Sequence, residues 1–214
     1  METDNIGIKT FFIIIIAIVF FEGVAIFLSH EKYLNPMLLL CIVRLIEITV
    51  ITQVVLIWGK GLRSIGLAPP TIIKGIRKGL IWSVAFGLLT GFIFFIIYVS
   101  GMNPLKPVHT QLPLRKNELA LFLIVGCIVA PIAEELFFRG ILYGFFRRWG
   151  IPAALILTTV IFIFAHRNTG TILFTQAVGG IIFAVSYEME KNLMVPIVIH
   201  ILGNTAIFIL SLVY

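Results

Sequence analysis

The 214-residue sequence is 60% hydrophobic and only 12% charged, with a formal charge of +6 and a mean hydropathy of +1.11. That balance excludes a soluble globular domain. Long Ile/Leu/Phe/Val runs without period-two alternation also exclude a β-barrel, because in lipid only helices and closed barrels satisfy their own backbone polar groups.

The expected fold class is therefore all-α, a polytopic helical membrane protein with about seven spans, in a range of six to eight. Helical segments are predicted over 10–28, 36–58, 79–99, 118–146, 152–166, 171–187 and 193–213. The fifth and sixth are shorter than the roughly 20 residues a span needs. The acidic start, Met1 to Lys9, and the lack of a small-residue cleavage site make the first run a retained helix rather than a removable signal. Cys41 and Cys127 fall inside apolar segments without a C-x-x-C pattern, so neither a disulfide framework nor a cysteine zinc site is expected.

Basic residues lie in short clusters beside the apolar runs, which is a positive-inside pattern and not a nucleic-acid surface. Lys9, Lys60, Arg63, Lys74, Arg77, Lys78, Arg147, Arg148 and Lys191 fall on one side, against Lys32, Lys106, Arg115, Lys116 and Arg167 on the other. Nine against five puts the N-terminus in the cytoplasm and the C-terminus outside. In the loop from Gly59 to Lys78, the stretch T-I-I-K-G-I-R-K-G-L after Pro69 and Pro70 suits either a short amphipathic helix on an anionic leaflet or an ordinary positive-inside loop. The loop from Ser100 to Asn117 has three prolines and no periodicity, and no function is assigned to it. Arg44 and Glu47, three apart on the second segment, are expected to pair, while Glu22 is the lone charge of the first.

The fourth segment carries the most costly charges. Glu134, Glu135 and Arg139 stand within P-I-A-E-E-L-F-F-R-G, where each ionisable group at the centre of a membrane helix costs about 2.5–3.5 kcal/mol on insertion scales. At about 100° per residue, Arg139 lies about 40° from Glu135 and about 140° from Glu134. Arg139 therefore belongs to Glu135, and Glu134 faces the bundle without its own counter-charge, where a carboxyl suits a general base. Two later segments add polar groups at turn spacing. Phe162 and His166 close the fifth, and His200 and Asn204 lie four apart on the last. Counted from the inner helix ends, Glu134, His166 and His200 lie roughly 18, 21 and 10 Å deep at 1.5 Å per residue, so one shared site requires tilt or a shifted boundary.

E-E-L-F-F-R at 134–139, F-I-F-A-H at 162–166 and H-I-L-G-N at 200–204 resemble, in order and spacing, the three motifs of the CAAX-processing and bacteriocin-processing (CPBP, or Abi) intramembrane protease family. The likeness covers roughly 118–206, which it marks as a catalytic core within a single membrane domain over 1–214; residues 1–117 would be N-terminal helices without an assigned role. The resemblance implies a glutamate-type intramembrane endopeptidase. Glu134 with His166 would activate a water, His200 and Asn204 would donate to the oxyanion, and Glu135, Arg139 and Phe162 would support them.

No cofactor is expected. A metal-dependent variant remains the alternative, because Glu134, His166 and His200 also form a donor set for zinc with water in the fourth position. The absence of an H-E-x-x-H helix and the presence of Asn204 favour the metal-free form. The implied partners are the lipid bilayer and a membrane-associated protein or peptide, with a C-terminal tail as one possible substrate and no nucleic acid. The implied location is the bacterial cytoplasmic membrane, as a multi-pass protein. Two other functions compete: a non-proteolytic immunity factor or scaffold, which has no reason to keep both Glu134 and His166, and a proton-coupled transporter, which predicts repeated topology that the sequence lacks.

Overall fold

The computed structural model describes residues 6–31, 34–166 and 173–213, except the side chain of Leu173. Lys32 and Arg167 of the charge count, and the expected start of the sixth segment at 171, lie outside these residues.

Among the described residues the chain is helical throughout, without strands. The helices are α1 (Ile8–His30), α2 (Pro36–Trp58), α3 (Ile72–Val99), α4 (Lys116–Trp149), α5 (Ile151–Ala165), α6 (Leu173–Glu190) and α7 (Met194–Val213). These match the seven segments expected from the apolar runs to within a few residues, apart from the start of α3. Four of them, α1, α2, α4 and α7, are long and apolar enough to cross a membrane, and so is the Leu62–Val99 stretch that contains α3; α5 is apolar but shorter. The architecture is that of a polytopic helical membrane protein.

The stretch with Lys74, Arg77 and Lys78 does not form a separate amphipathic helix. A 3₁₀ turn at Pro69–Thr71 leads directly into α3, and these residues make its first turns. The reason lies in Gly75 and Gly79, both buried and one turn apart. A Cβ on Gly75 would run into Asn192 and Met194, and one on Gly79 would meet Val198 at 2.7 Å. The two glycines let the α3 backbone close on α7, the small-residue contact by which membrane helices pack without a hydrophobic driving force between them. Lying flat on the membrane would forfeit that contact.

α1 packs along α2, α3 along α7, and α5 along α6. α4 passes through the centre, where Ile141, Tyr143, Leu136 and Phe138 join Ile14, Val55, Ile65 and Leu193 in one buried apolar cluster. α1 and α3 turn large apolar side chains outward, among them Ile16, Phe20, Leu88 and Phe92, as lipid-facing helices do.

α4 is not a uniform α-helix. Its first turns are α-helical, Val125–Val129 and Leu136–Tyr143 are π-helical, and Ala130–Glu135 between them is α-helical. Such turns are rare and cluster at functional sites. The first has a visible cause. The Ala130 N–H bonds to the Val125 carbonyl five residues back, and Pro131 has no N–H to offer. The Gly126 carbonyl thus loses both of its possible helical donors. Asn204 on α7 replaces them, donating from Nδ2 at 2.8 Å.

Candidate active site

The α-helical turn between the two π stretches presents Glu134 and Glu135 in different directions. Glu135 points into the sealed core, where it and Arg139 are both 0% exposed, and Arg139 Nη1 donates to Glu135 Oε1 at 2.9 Å. The second guanidinium arm, Nη2, donates to the Gly180 carbonyl on α6 at 3.2 Å. Phe162 and Phe183 lie 4.8 and 5.1 Å from the guanidinium carbon, and Phe138 lies beyond them. This aromatic box surrounds a buried cation with the electron-rich faces that stabilise it.

Glu134 faces the other way. Its side chain is 14% exposed, and its Oε2 lies 3.5 Å from His166 Nε2 and 3.9 Å from His200 Nε2. The loosely matched depths read from the sequence are thus reconciled, and α4, α5 and α7 bring three titratable groups to one point. The tautomers follow from what each Nδ1 touches. His166 Nδ1 lies 2.8 Å from the Phe162 carbonyl, which only accepts, so Nδ1 carries hydrogen. His200 Nδ1 lies 2.8 Å from Glu135 Oε1, a carboxylate oxygen, so it donates as well. Both rings thereby turn Nε2 toward Glu134.

Besides facing Arg139, Phe162 holds His166: its carbonyl orients that ring, and its own ring packs against the same imidazole at 4.4 Å. Asn204 forms no hydrogen bond with Glu134; one of its amide hydrogens is committed to the Gly126 carbonyl. Among the described residues no group of three or more His, Cys, Asp or Glu side chains is arranged to hold a metal ion.

Residues 116–206 match the family described as Type II CAAX prenyl endopeptidase Rce1-like. Over this segment the chain is similar to the Rce1-like family. The matched span contains every site residue named above and begins at the first residue of α4. The putative membrane peptidase YdiL of Bacillus subtilis (strain 168) is 36% identical over 93 residues, covering 43% of this chain and 38% of that protein. The membrane-embedded CAAX protease MroQ of Staphylococcus aureus (strain USA300) is 30% identical over 141 residues, 58% of this chain and 57% of MroQ. An uncharacterized 24.3 kDa protein of Escherichia coli is 26% identical over 147 residues, 65% of this chain and 68% of the relative. The chain thus spans between about two fifths and three fifths of the length of the first two relatives. No solved structure matches it significantly.

Two contributors to this site escape sequence reasoning. Phe183 on α6 stacks on His200 with ring centres 4.5 Å apart and planes at 20°, but a phenylalanine in an apolar helix looks like ordinary core. Gly180 supplies the carbonyl for Arg139, and its own Cβ position lies 3.1 Å from Thr159. The Gly179–Gly180 pair in mid-helix is a signal of close backbone approach that points to it.

Proposed function

We propose that this protein is a glutamate-type intramembrane endopeptidase that hydrolyses a peptide bond in a membrane-associated protein or peptide. The observation that carries the reading is the division of two adjacent carboxylates. Glu135 is sealed and charge-paired, whereas Glu134 keeps a side chain 14% exposed and faces two imidazole Nε2 atoms within 3.9 Å. Its relatives, the putative membrane peptidase YdiL and the CAAX protease MroQ, support the same class.

In this mechanism Glu134 takes a proton from a water held against His166 Nε2, and the hydroxide attacks the substrate carbonyl. The 3.5 Å separation is one that a hydrogen-bonded water or a small side-chain rotation closes. His200 has Nδ1 committed to Glu135, so it donates toward the developing oxyanion only from Nε2, and therefore as the imidazolium. Glu135 stabilises that cation, as a buried carboxylate behind a catalytic histidine does. Glu135 thus has a second task beyond balancing Arg139. Asn204 acts through its remaining amide hydrogen. The proton on Glu134 or His166 then passes to the leaving amine.

The reaction as written needs no metal, and His166 and His200 act through protons. We further place the protein in the bacterial cytoplasmic membrane with its N-terminus inside, on the strength of its basic loops and bacterial relatives.

The test is mass spectrometry of membrane-protein termini in cells that produce the wild type or Glu134→Gln. The expected result is a new terminus generated by the wild type, with or without chelator, and absent with the variant. Identical termini in both would overturn the assignment.

A further inference from the structure

We propose that a second, basic cavity on the face richest in Lys and Arg binds the phosphate of an anionic headgroup. The cavity holds about 490 Å³ between the loop after α2, the first turns of α3 and the α6–α7 junction, a size that suits a small ligand. It lies outside the protease site and shares no residue with it.

The walls are built rather than incidental. Asn192 is buried and doubly held, donating to the Thr71 carbonyl at 2.9 Å and accepting from the Met194 N–H at 3.0 Å. Gly66, at φ +75°, lets its carbonyl accept from the Leu193 N–H at 3.0 Å, and a side chain there would meet the Tyr187 ring and the Leu193 nitrogen. These contacts tie the loop, α3 and the α6–α7 junction into one rim.

The charge on that rim is unbalanced. Arg63, Lys74, Lys78 and Lys191 all line the cavity, and Lys60 stands beside them. Glu190 is the carboxylate in the wall; it is engaged by Lys78 at 3.3 Å and by the Trp82 indole N–H at 3.2 Å. Lys191 is held by Glu188, which also accepts from Nε and Nη2 of Arg147. Arg63 and Lys74 form no ion pair with any described residue, and both are exposed. Two fixed ammonium groups and two uncommitted cations around one cavity call for an anion with several acceptor oxygens, and a phosphate has them.

The position favours a lipid as its source. On the outer side of the same first turns of α3, Ile73, Ile76 and Leu80 form an exposed apolar row at helical spacing. A headgroup phosphate in the cavity leaves its acyl chains lying along that row. A soluble phosphate would use the cavity alone.

Native mass spectrometry of the full-length protein from mixed micelles tests this. Phosphatidylglycerol, phosphatidylcholine and inorganic phosphate are offered separately, to the wild type, to Arg63→Gln/Lys74→Gln, and to the charge-keeping Arg63→Lys/Lys74→Arg. The wild type should retain phosphatidylglycerol in preference to phosphatidylcholine. The glutamine pair should weaken retention roughly tenfold or more, with the charge-keeping pair near wild type. Inorganic phosphate that binds and displaces the lipid confirms headgroup chemistry; phosphate binding without lipid retention keeps the site and assigns it a soluble source. Equal retention of the two lipids with no phosphate binding, or undiminished binding by a glutamine pair that keeps the wild-type melting temperature, overturns the proposal.

Discussion

The membrane interior of this protein contains two charge clusters of nearly the same make-up, and they are wired differently. In the N-terminal half, Glu22 of α1 and Glu47 of α2 flank Arg44, and the single guanidinium group Nη1 reaches both carboxylates. The sequence expected only the Arg44–Glu47 pair; Glu22 joins it and fastens α1 to α2. In the C-terminal half there are again two glutamates and one arginine, but Arg139 engages only Glu135, and Glu134 is left facing His166 and His200. One arginine shared by two carboxylates makes a structural clasp. One arginine reserved for the inner carboxylate leaves the outer one to the two histidines, as the proposed mechanism requires.

Substitutions should divide the clusters along this line. The largest effect is expected at His166→Ala, with cleavage lost by about 10²–10⁴-fold and the melting temperature unchanged, as followed by terminus-resolved mass spectrometry and thermal unfolding. Glu135→Gln should weaken both properties, because it removes the negative charge that Arg139 and His200 share and leaves both donors on one neutral amide oxygen. A buried pair broken from one side costs about 3–5 kcal/mol, and Glu135→Gln/Arg139→Met should recover stability without recovering cleavage. Asn204→Ala strips the Gly126 carbonyl of its donor, which should cost about 1–3 kcal/mol in denaturant unfolding. The smallest effect belongs to Glu22→Gln, where the carboxylate is partly exposed; stability should move within about 1 kcal/mol and cleavage not at all. A loss of cleavage at Glu22 comparable to that at His166 would erase the distinction between the clusters.

The helices were legible because apolar runs of membrane length carry their own signal, and the Glu135–Arg139 pair because four-residue spacing on a helix is a local property. What a helical wheel omits is everything contributed by another helix. It places Arg139 beside Glu135 but has no means of showing that His200 reaches the same carboxylate from α7, nor that Phe183 stacks on that histidine. The π turns were hidden for a different reason. The mark of the first is a missing N–H at Pro131, which reads equally well as a tolerated membrane proline until the Asn204 amide is seen at the Gly126 carbonyl. The basic stretch after Pro70 was ambiguous because its charges suit a membrane surface, whereas its two glycines, buried against α7, decide the outcome.

The most direct test of the central claim pairs two readouts on one variant. Purified Glu134→Gln, reconstituted in lipid with a substrate identified from the cellular termini, should release no cleaved product while melting at the wild-type temperature, because glutamine keeps the size of Glu134 and an acceptor oxygen and breaks no buried arginine pair. Cleavage that persists in Glu134→Gln, or that falls only in step with a lowered melting temperature, would contradict the assignment of Glu134 as the catalytic base.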